Sequence, residues 1–429
     1  MKSYIYDVCV LGLGYIGLPT ASTFAARGLS VLGVDVNPEV VNSISSGKIH
    51  IQEPDLNILV MAAIQSGRMK VSLAPQAADV YIIAVPTPFR VTTVGTKEPD
   101  LSYIEAAVQS IAPVAPAGAL VILESTSPPG TTHDLKKWFE ASRDLTVDLD
   151  TFQFAHCPER ILPGQMLNEL ITNDRIVGGV TPMASTRAKA LYEKICSGRI
   201  FLTDAITAEM TKLVENAFRD VNIAFANELS MICDDLELNV WEVIRLANRH
   251  PRVNILSPGP GVGGHCIAVD PWFIVHKAGD RAQLIRTARE VNDSKTDYVI
   301  SQIRKASAGF DHPRIACLGL TFKANVDDVR ESPALAIVAS LAEDRCGDVT
   351  VADPHLTAVP LSLQGLVGFE DWTAAVDKAD IIVILVDHQE FRDIPTIVFE
   401  RSVVIDTRGM LASRIDANNI AFRIENRAQ

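Results

Sequence analysis

The sequence lacks several features that mark particular classes of protein. Its seven cysteines show no CxxC spacing, which argues against a disulfide framework and favours a reducing, cytoplasmic environment. None of its nine histidines belongs to an HExxH motif or a Cys/His cluster, so we expect no metal site. The net charge is -13 and there is no long basic run, which argues against nucleic acid as a partner.

The N-terminal run MKSYIYDVCVLGLG is not typical of a targeting segment, since it turns into a glycine motif after a short apolar stretch. We therefore predict neither a signal peptide nor a membrane span there. What remains is the composition of a globular protein, with 48% hydrophobic and 21% charged residues. The length of 429 residues exceeds one ordinary core and predicts two or three domains.

The first motif along the chain is a dinucleotide-binding fingerprint. DVCVL predicts a buried strand, a helix is predicted over 18–27, and a second strand, SVLGVD, ends at Asp35. Three glycines form GxGxxG at the entry to that helix: Gly12, Gly14 and Gly17. They would let a pyrophosphate approach the amides of Tyr15 and Ile16 at the helix N-terminus. Asp35 can bond ribose hydroxyls and would repel a 2′-phosphate, so NAD is favoured over NADP.

Hydroxyl side chains follow two later predicted strands. Thr87 follows VYIIAV, and Ser125 and Thr126 follow ALVILE. Ligands lie beyond the carboxyl ends of the strands in an open parallel sheet, so we expect these residues beside the cofactor. The alternative is that they cap the next helix.

Two further stretches admit both a functional and a structural interpretation. HCPERILPG, residues 156–164, places Glu159 and Arg160 between prolines, as ligands or as a structural ion pair. Residues 207–235 contain no Pro or Gly and predict a long helix with a broad apolar face that packs between domains or subunits. A second face of that helix, either functional or merely solvated, carries three polar residues: Lys212, Asn216 and Arg219.

A run rich in glycine and proline, SPGPGVGGHCIAVDPW, ends at a cysteine. It cannot be a helix or a central strand, and we call residues 257–266 the cysteine loop. A thiol on such a loop, with His265 before Cys266 and Asp270 after it, is how a chain presents a nucleophile to a ligand. The alternative is a buried cysteine after an irregular turn. His250 and Arg252 precede the cysteine loop in the sequence and could reach the same ligand.

A second α/β pattern begins after residues 312–313. Strands are predicted at RIACLGL, DVTVAD, ADIIVILVD and SVVID, with a helix over 333–343. GLTFKAN stands where the glycine motif would be, so this part binds a different nucleotide or is simply an α/β domain. Lys323 and Arg330 are cations where a phosphate would lie.

Taken in order, GLGYIGLP, ESTSPPGT, HCPERILPG, KLVENAFRD, GVGGHCIAVDP and DTRG resemble the motifs of the nucleotide-sugar 6-dehydrogenases, the UDP-glucose/GDP-mannose dehydrogenase family. The resemblance covers nearly the whole chain. It implies an α/β protein with a Rossmann NAD domain at 1–203, a central helical dimerisation domain with the cysteine loop at 204–308, and a Rossmann-like UDP-sugar domain at 309–429. It also implies a homodimer joined by the central helix.

The resemblance further implies a reaction, the oxidation of a primary alcohol at C6 to a carboxylate with two NAD in succession. Cys266 would form a thiohemiacetal and then a thioester, Lys212 and Asn216 would face the developing alkoxide, and Asp270 and Glu159 would place water. The implied substrate contacts are Arg160, Ile161, Lys212, Asn216, Arg219, His250, Arg252, Gly263, Phe322 and Lys323. The implied cofactor contacts are Gly12, Gly14, Tyr15, Ile16, Gly17, Asp35, Thr87, Thr126 and Arg330.

Three motifs indicate the sugar. Gly264-His265-Cys266, HPRVNI and VDPWF resemble the branch that acts on UDP-N-acetylhexosamines, with UDP-N-acetyl-D-mannosamine as the expected substrate. UDP-N-acetylglucosamine, UDP-glucose and a 3-hydroxyacid are the alternative substrates. A catalytically silent NAD-binding regulator is the alternative outside the enzymes. Counting NADH formed per nucleotide sugar separates these possibilities.

Overall fold

A computed structural model shows the chain as two compact units. The structure describes residues 4–51, 53–92, 97–143, 151–161, 164–264 and 266–411. One unit comprises residues 1–215 with 272–279, and the other comprises residues 216–271 with 280–429. The predicted three-domain division at residues 203 and 308 stays a prediction.

The first unit is built on a mostly parallel sheet. In chain order its strands and a separate hairpin are β1 (Tyr6–Leu11), β2 (Val31–Val34), β3 (Met69–Ser72), β4 (Ala78–Ile83), β5 (Phe89–Val91), β6 (Lys97–Pro99), β7 (Leu120–Leu123), β8 (Gln153–His156), β9 (Arg175–Gly179) and β10 (Ile200–Asp204). The sheet order is β10-β9-β8-β7-β4-β1-β2-β3, with β5 and β6 forming the hairpin. Only the pairing of β8 with β9 is antiparallel among the described strands of this sheet. Central strands such as β7, LVIL, are apolar runs because both of their faces are covered.

Helices cover both faces of this sheet. They are α1 (Gly17–Ala26), α2 (Pro38–Ser45), α3 (Leu56–Gln65), α4 (Ser102–Ile111), α5 (Thr131–Ala141), α6 (Met166–Thr172) and α7 (Pro182–Tyr192). One core contains Phe24 of α1 and Tyr192 of α7, and the other contains Val108 of α4 and Phe139 of α5. The helix predicted after the glycine motif is therefore confirmed as α1.

Four helices follow the first sheet in the described part of the chain, two long and two short: α8 (Ala205–Asp235), α9 (Val240–Ala247), α10 (Asp270–Ala278) and α11 (Gln283–Ser307). The predicted helix over 207–235 is confirmed by α8, which runs for 31 residues without a helix breaker. Among the described residues, every helix is too short or too polar to cross a membrane.

The second unit contains a five-stranded sheet in its described part. Its strands are β11 (Arg314–Leu318), β12 (Asp348–Ala352), β13 (Gly368–Phe369), β14 (Ile381–Ile384) and β15 (Val403–Asp406). The order β13-β12-β11-β14-β15 is entirely parallel. The accompanying helices are α12 (Pro333–Asp344), α13 (Trp372–Lys378) and α14 (Thr396–Arg401). The second α/β pattern is thus confirmed.

The two sheets share one topology and one turn. In each, the strand order reverses beside the first strand, between β1 and β4 or between β11 and β14, and ligands bind at such switch points. Gly12 after β1 and Gly319 after β11 both have a φ of 87°. The next backbone amide is held by an acid at the end of the second strand, Asp35 at 2.9 Å or Asp353 at 2.7 Å. The chain therefore contains two versions of the Rossmann turn.

Candidate active site

The glycine turn of the first unit leaves room for a ligand at one point. A Cβ on Gly12 would lie 2.5 Å from the carbonyl oxygen of Ala84, and a Cβ on Gly17 would overlap the carbonyl oxygen of Gly12. A Cβ on Gly14 would meet no atom within 4 Å. Gly12 and Gly17 therefore allow close packing, whereas the open space beside Gly14 fits a pyrophosphate at the start of α1.

Asp35 is held in a defined orientation beside this turn. Its Oδ2 accepts a hydrogen bond from the amide of Leu13 at 2.9 Å, and its Oδ1 accepts one from the amide of Asn37 at 2.9 Å. Each carboxylate oxygen has a second acceptor position, so ribose hydroxyls can still donate to it. Tyr15 and Ile16 lie directly before α1, as the fingerprint predicts.

The corresponding acid of the second unit is engaged differently. Asp353 is buried, and its Oδ2 lies 3.2 Å from the Nε2 atom of buried His388 in addition to its bond from Leu320. A protein side chain thus occupies a position where a ribose would approach Asp35. The two turns are alike in backbone but differ in the ligand that they admit.

The hydroxyls at the strand ends have separate roles. Ser125 donates to the carbonyl oxygen of Val85 at 2.7 Å and so ties the segment after β7 to the segment after β4. Thr126 and Thr87 are half-buried in those two segments. Ser125 thus has a structural hydrogen bond, and the expectation that Ser125, Thr87 and Thr126 lie beside the cofactor stays a prediction.

Glu159 and Arg160 do not pair with each other through their side chains. Glu159 is buried and forms an ion pair with Arg175 of β9 at 2.9 Å, while its other oxygen accepts from the amide of Arg160 at 2.8 Å. The Arg160 guanidinium pairs with Glu215 at 2.7 Å. Arg175 was missed by sequence reasoning because nothing in RIVGG distinguishes it from an ordinary strand residue. Ile161 is half-buried, and residues 162–163 of this motif lie outside the described residues.

A buried carboxyl directly precedes Ser125 and was also missed. Glu124 accepts a hydrogen bond from the hydroxyl of Tyr192 at 2.6 Å. Burial, with a further contribution from nearby Glu159, raises the pKa of Glu124 to about 7. The carboxyl ends of β7 and β8 thus hold a buried acidic network, which Arg175 balances.

Lys212 and Asn216 lie one turn apart on α8, as the spacing predicts. Lys212 is half-buried and close enough to His156 to affect it. Burial, with the positive charge of Lys212 as a further cause, lowers the pKa of His156 to about 3. His156 is therefore neutral at pH 7.

The second unit presents Cys266 at its surface. Cys266 is exposed, whereas Cys9, Cys157 and Cys317 are buried. Burial raises the pKa of each of these three thiols to about 12, which makes them poor nucleophiles. The alternative of a buried structural cysteine is thus wrong for Cys266. His265 lies outside the described residues.

Asp270 links the cysteine loop to α8. Its amide donates to the carbonyl oxygen of Cys266 at 2.8 Å, and its Oδ2 accepts from the Nδ2 atom of Asn216 at 2.5 Å. Both Asn216 and Asp270 are buried. The structure thus brings together three of the predicted catalytic residues, Cys266, Asp270 and Asn216.

A second group of predicted contacts lies at the switch point between β11 and β14. A Cβ on Gly263 would lie 3.0 Å from the Cβ atom of Phe322, so the cysteine loop passes directly over this residue. A pocket beside it is lined by Gly261, Phe322, Lys323, Pro333, Asp387 and Arg408, among others. Arg408, from the DTRG motif, pairs with Asp387 at 2.8 Å and was not among the predicted site residues.

The remaining predicted contacts are exposed residues of the second unit. Arg219, His250 and Arg252 are exposed, and the ring of His250 accepts from the amide of Arg252 at 3.3 Å. Arg330, predicted to face NAD, belongs to the second unit and pairs with Asp328 at 2.5 Å. Their roles stay predictions.

Three family models match the chain in series. They describe the UDP-glucose/GDP-mannose dehydrogenase family NAD binding domain over residues 6–196, its central domain over 206–294, and its UDP binding domain over 316–413. The chain belongs to the UDP-glucose/GDP-mannose dehydrogenase family. This dehydrogenase therefore has the predicted NAD-binding Rossmann domain, central helical domain and UDP-binding domain. The expected class, an NAD-dependent nucleotide-sugar dehydrogenase, is confirmed, and the hydroxyacid and regulator alternatives are not favoured.

Curated relatives cover almost the whole dehydrogenase. An NDP-N-acetyl-D-galactosaminuronic acid dehydrogenase of Ralstonia nicotianae is 56% identical over 413 residues, which are 95% of this chain and 96% of that protein. A UDP-N-acetyl-D-mannosamine dehydrogenase of Salmonella typhi is 52% identical over 417 residues, 94% of this chain and 98% of that protein. The solved UDP-N-acetyl-mannosamine dehydrogenase of Staphylococcus aureus has a TM-score of 0.83 at 42% identity, covering 94% of this chain and 95% of that one.

Proposed function

We propose that the enzyme oxidises UDP-N-acetyl-D-mannosamine at C6 to UDP-N-acetyl-D-mannosaminuronate. The relatives from Salmonella typhi and Staphylococcus aureus support this substrate. The observation that favours a four-electron oxidation is the exposed thiol of Cys266. The backbone carbonyl oxygen of Cys266 accepts from the amide of Asp270, and the Asp270 carboxylate accepts from Asn216. An alcohol dehydrogenase that stops at the aldehyde has no need of a nucleophilic thiol.

The glycine turn of the first unit would hold NAD, with the open space at Gly14 for the pyrophosphate and Asp35 for the ribose. When bound, NAD accepts the electrons of both oxidations, so that one alcohol, two NAD⁺ and one water give one carboxylate, two NADH and three protons. Asp35 would also disfavour NADP, because its carboxylate would repel a 2′-phosphate.

The protein side chains supply the rest of the chemistry. The Cys266 thiolate adds to the C6 aldehyde, a C–S bond forms, and the carbonyl oxygen becomes the oxyanion of a thiohemiacetal. After the second oxidation water attacks the thioester carbon, the C–S bond breaks, and the thiolate leaves. The Lys212 ammonium and the Asn216 amide would stabilise the oxygen that develops negative charge.

Two carboxylates were predicted to place the water, and their surroundings differ. Asp270 is the first residue of α10 and lies next to the peptide segment that begins at Cys266. Glu159 is held in an ion pair with Arg175 and also accepts from the amide of Arg160. Because Asp270 is the carboxylate joined to the backbone of Cys266, we assign the water to Asp270 first and keep Glu159 as the second candidate.

We further propose that the enzyme is a homodimer and is cytoplasmic. Large apolar side chains on α8 are exposed, including Phe218 at 67% and Phe225 at 54%. Patches of this kind mark protein interfaces, and a second copy of the chain is the occupant that we expect. A reducing compartment suits a mechanism that depends on an exposed thiol.

A second candidate differs only in the sugar. The relative from Ralstonia nicotianae, at 56% identity, is named for N-acetyl-D-galactosaminuronic acid. The corresponding UDP-N-acetylgalactosamine substrate therefore has to be compared directly with the manno epimer.

The deciding experiment compares kcat/KM for UDP-N-acetylmannosamine, UDP-N-acetylgalactosamine, UDP-N-acetylglucosamine and UDP-glucose with the purified enzyme. We expect two NADH per sugar, the highest kcat/KM for the manno form, and discrimination against UDP-glucose on the order of 10⁴-fold, because a pocket built to hydrogen-bond the acetamido group leaves polar atoms unpaired without it. A preference for another N-acetylhexosamine would overturn the epimer assignment. Equal turnover of UDP-glucose would overturn the N-acetylhexosamine assignment.

The covalent step has its own test in the same assay. Cys266→Ala should bind NAD and sugar yet form no acid, while Cys346→Ala, at a half-buried cysteine outside the loop, should behave as the wild type. Two NADH per sugar at near wild-type rate from Cys266→Ala would contradict the covalent mechanism.

A further inference from the structure

A buried series of polar side chains connects α8 with α11 in the second unit. Asp220, Asn227 and Asn292 are 0% exposed, and Arg289 is 1% exposed. Burying such groups costs free energy unless each is hydrogen-bonded, and apolar side chains of similar volume often pack at lower cost. Packing alone therefore does not account for this series.

The ion pair at one end sets the direction of every hydrogen bond in the series. Asp220 accepts from Arg289 at 2.6 Å, and the Nδ2 atom of Asn292 donates to the same Oδ1 at 2.8 Å. A carboxylate only accepts, so the oxygen of Asn292 must face away from it, toward Asn227. Asn227 donates its Nδ2 hydrogen to that oxygen at 2.8 Å. The Oδ1 atom of Asn227 is then left as an acceptor at the far end.

That acceptor is used by the cysteine loop. The amide of Gly259 donates to the Oδ1 atom of Asn227 at 2.9 Å. The next residue is held from α11, because the hydroxyl of Thr296 donates to the carbonyl oxygen of Pro260 at 3.1 Å. Two neighbouring residues of the loop are thus fixed by side chains of two different helices.

The loop needs such anchors because it has few of its own. Residues 251–264 contain no helix or strand, and Pro258 and Pro260 have no amide hydrogen to donate. Gly261 follows with a φ of 145°, and a Cβ there would lie 2.7 Å from the Oγ1 atom of Thr296. The close approach of the loop to α11 is therefore built into the sequence.

We propose that Asn227 and Thr296 are positioning residues, which hold the near end of the cysteine loop so that Cys266 can reach the C6 aldehyde. The far end is held by the bond between Asp270 and Asn216, and Cys266 lies between the two anchors. This inference rests on the proposed function for its kinetic consequence. Neither positioning residue is among the predicted substrate or cofactor contacts, so we expect loosening the loop to affect the thiol step more than the first oxidation.

The test uses Thr296→Val, which removes the hydroxyl with little change of volume, and Asn227→Leu. Thr296→Ser restores the hydroxyl, and Ser294→Ala removes an exposed hydroxyl of the same helix that donates only to Val291 in its own turn. The full-length enzyme is given NAD and UDP-N-acetylmannosamine with hydroxylamine, which traps any released aldehyde as an oxime for mass spectrometry. The rate at which iodoacetamide alkylates Cys266, read from the peptide mass, is measured without substrate.

For Thr296→Val we expect the first oxidation to stay within about twofold of wild type while acid formation falls about tenfold or more, because small misplacements of a reacting group can cost up to 10²-fold. Aldehyde oxime should accumulate and the alkylation rate should change, while Thr296→Ser and Ser294→Ala match the wild type. Asn227→Leu should show the larger effect. Equal loss of both steps with a lowered Tm, or no released aldehyde, would overturn the proposal. If the wild type oxidises no UDP-sugar, the proposed function is wrong. The positioning role is tested independently of turnover: an alkylation rate of Cys266 in Thr296→Val equal to that of the wild type would overturn it.

Discussion

The start of α5 is capped from a distant helix by Glu209, and the loss of this side chain should destabilise the first unit. No side chain of the preceding residue caps α5, since its N-cap residue is Gly130. Instead Glu209 of α8, which is 0% exposed, accepts from the amide of Gly130 at 2.5 Å, from the amide of Thr132 at 2.7 Å and from the hydroxyl of Thr132 at 2.6 Å. A carboxylate at this position also interacts favourably with the helix dipole.

The magnitude follows from these bonds. Glu209→Ala leaves two backbone amides without an acceptor, and each buried unsatisfied group costs about 1–3 kcal/mol. Part of this is offset because the variant no longer buries a carboxylate, so we expect the free energy of unfolding to fall by about 3 kcal/mol. Glu209→Gln keeps one acceptor oxygen and should lose about half as much. Asp134→Asn changes a half-buried acid in the first turn of the same helix, whose ion pair with Lys137 lies at the surface, and should cost under about 0.5 kcal/mol.

The assay is urea unfolding of the full-length enzyme, monitored by intrinsic fluorescence. The Kd for NAD is measured on the same variants. Gly130 is the last residue of the ESTSPPG segment that bears Thr126, a predicted NAD contact. Because Glu209→Ala would release this segment, we also expect NAD binding to weaken in that variant. If that variant unfolds within about 0.5 kcal/mol of wild type and binds NAD equally well, the amides have other acceptors and the reasoning is refuted.

Three further predictions concern single charged residues. Asp35→Ala should lower the affinity for NAD by about 10–100-fold, the equivalent of one charged hydrogen bond, and raise the affinity for NADP relative to NAD. An unchanged Kd for NAD in a titration would exclude Asp35 as the ribose ligand. Lys212→Ala should lower kcat by about a hundredfold or more, and a rise in KM with kcat unchanged would show that Lys212 only binds substrate. Burial lowers the pKa of Lys295 from 10.5 to about 8 in the folded protein. Between pH 8 and 10.5 the unfolded chain therefore binds more protons than the folded chain. The free energy of unfolding should then increase with pH over this range, by up to about 3 kcal/mol. Lys295→Met should lack this increase in urea unfolding at pH 8 and pH 10, and an unaltered pH dependence would contradict the assignment.

The local features of this protein were predictable from its sequence. A glycine motif between two apolar runs defines a Rossmann turn because only glycine tolerates both the positive φ of Gly12 and the close approach at Gly17. The long helix α8 follows from 31 residues without a breaker, and its spacing alone puts Lys212 and Asn216 on one face. The prolines and glycines before Cys266 likewise exclude regular structure there.

The partners of these residues were decided only by the tertiary structure. Nothing local pairs Glu159 with Arg175 across 16 positions, caps α5 with Glu209 from 77 positions away, or engages Asp353 with His388 where Asp35 remains open to a ribose. Such contacts depend on which segments the folded chain brings side by side, and a buried polar group accepts whichever partner satisfies it there. The sequence by itself thus determined where the reactive groups stand along the backbone, and the fold decided which of them are held, which are neutral and which are exposed.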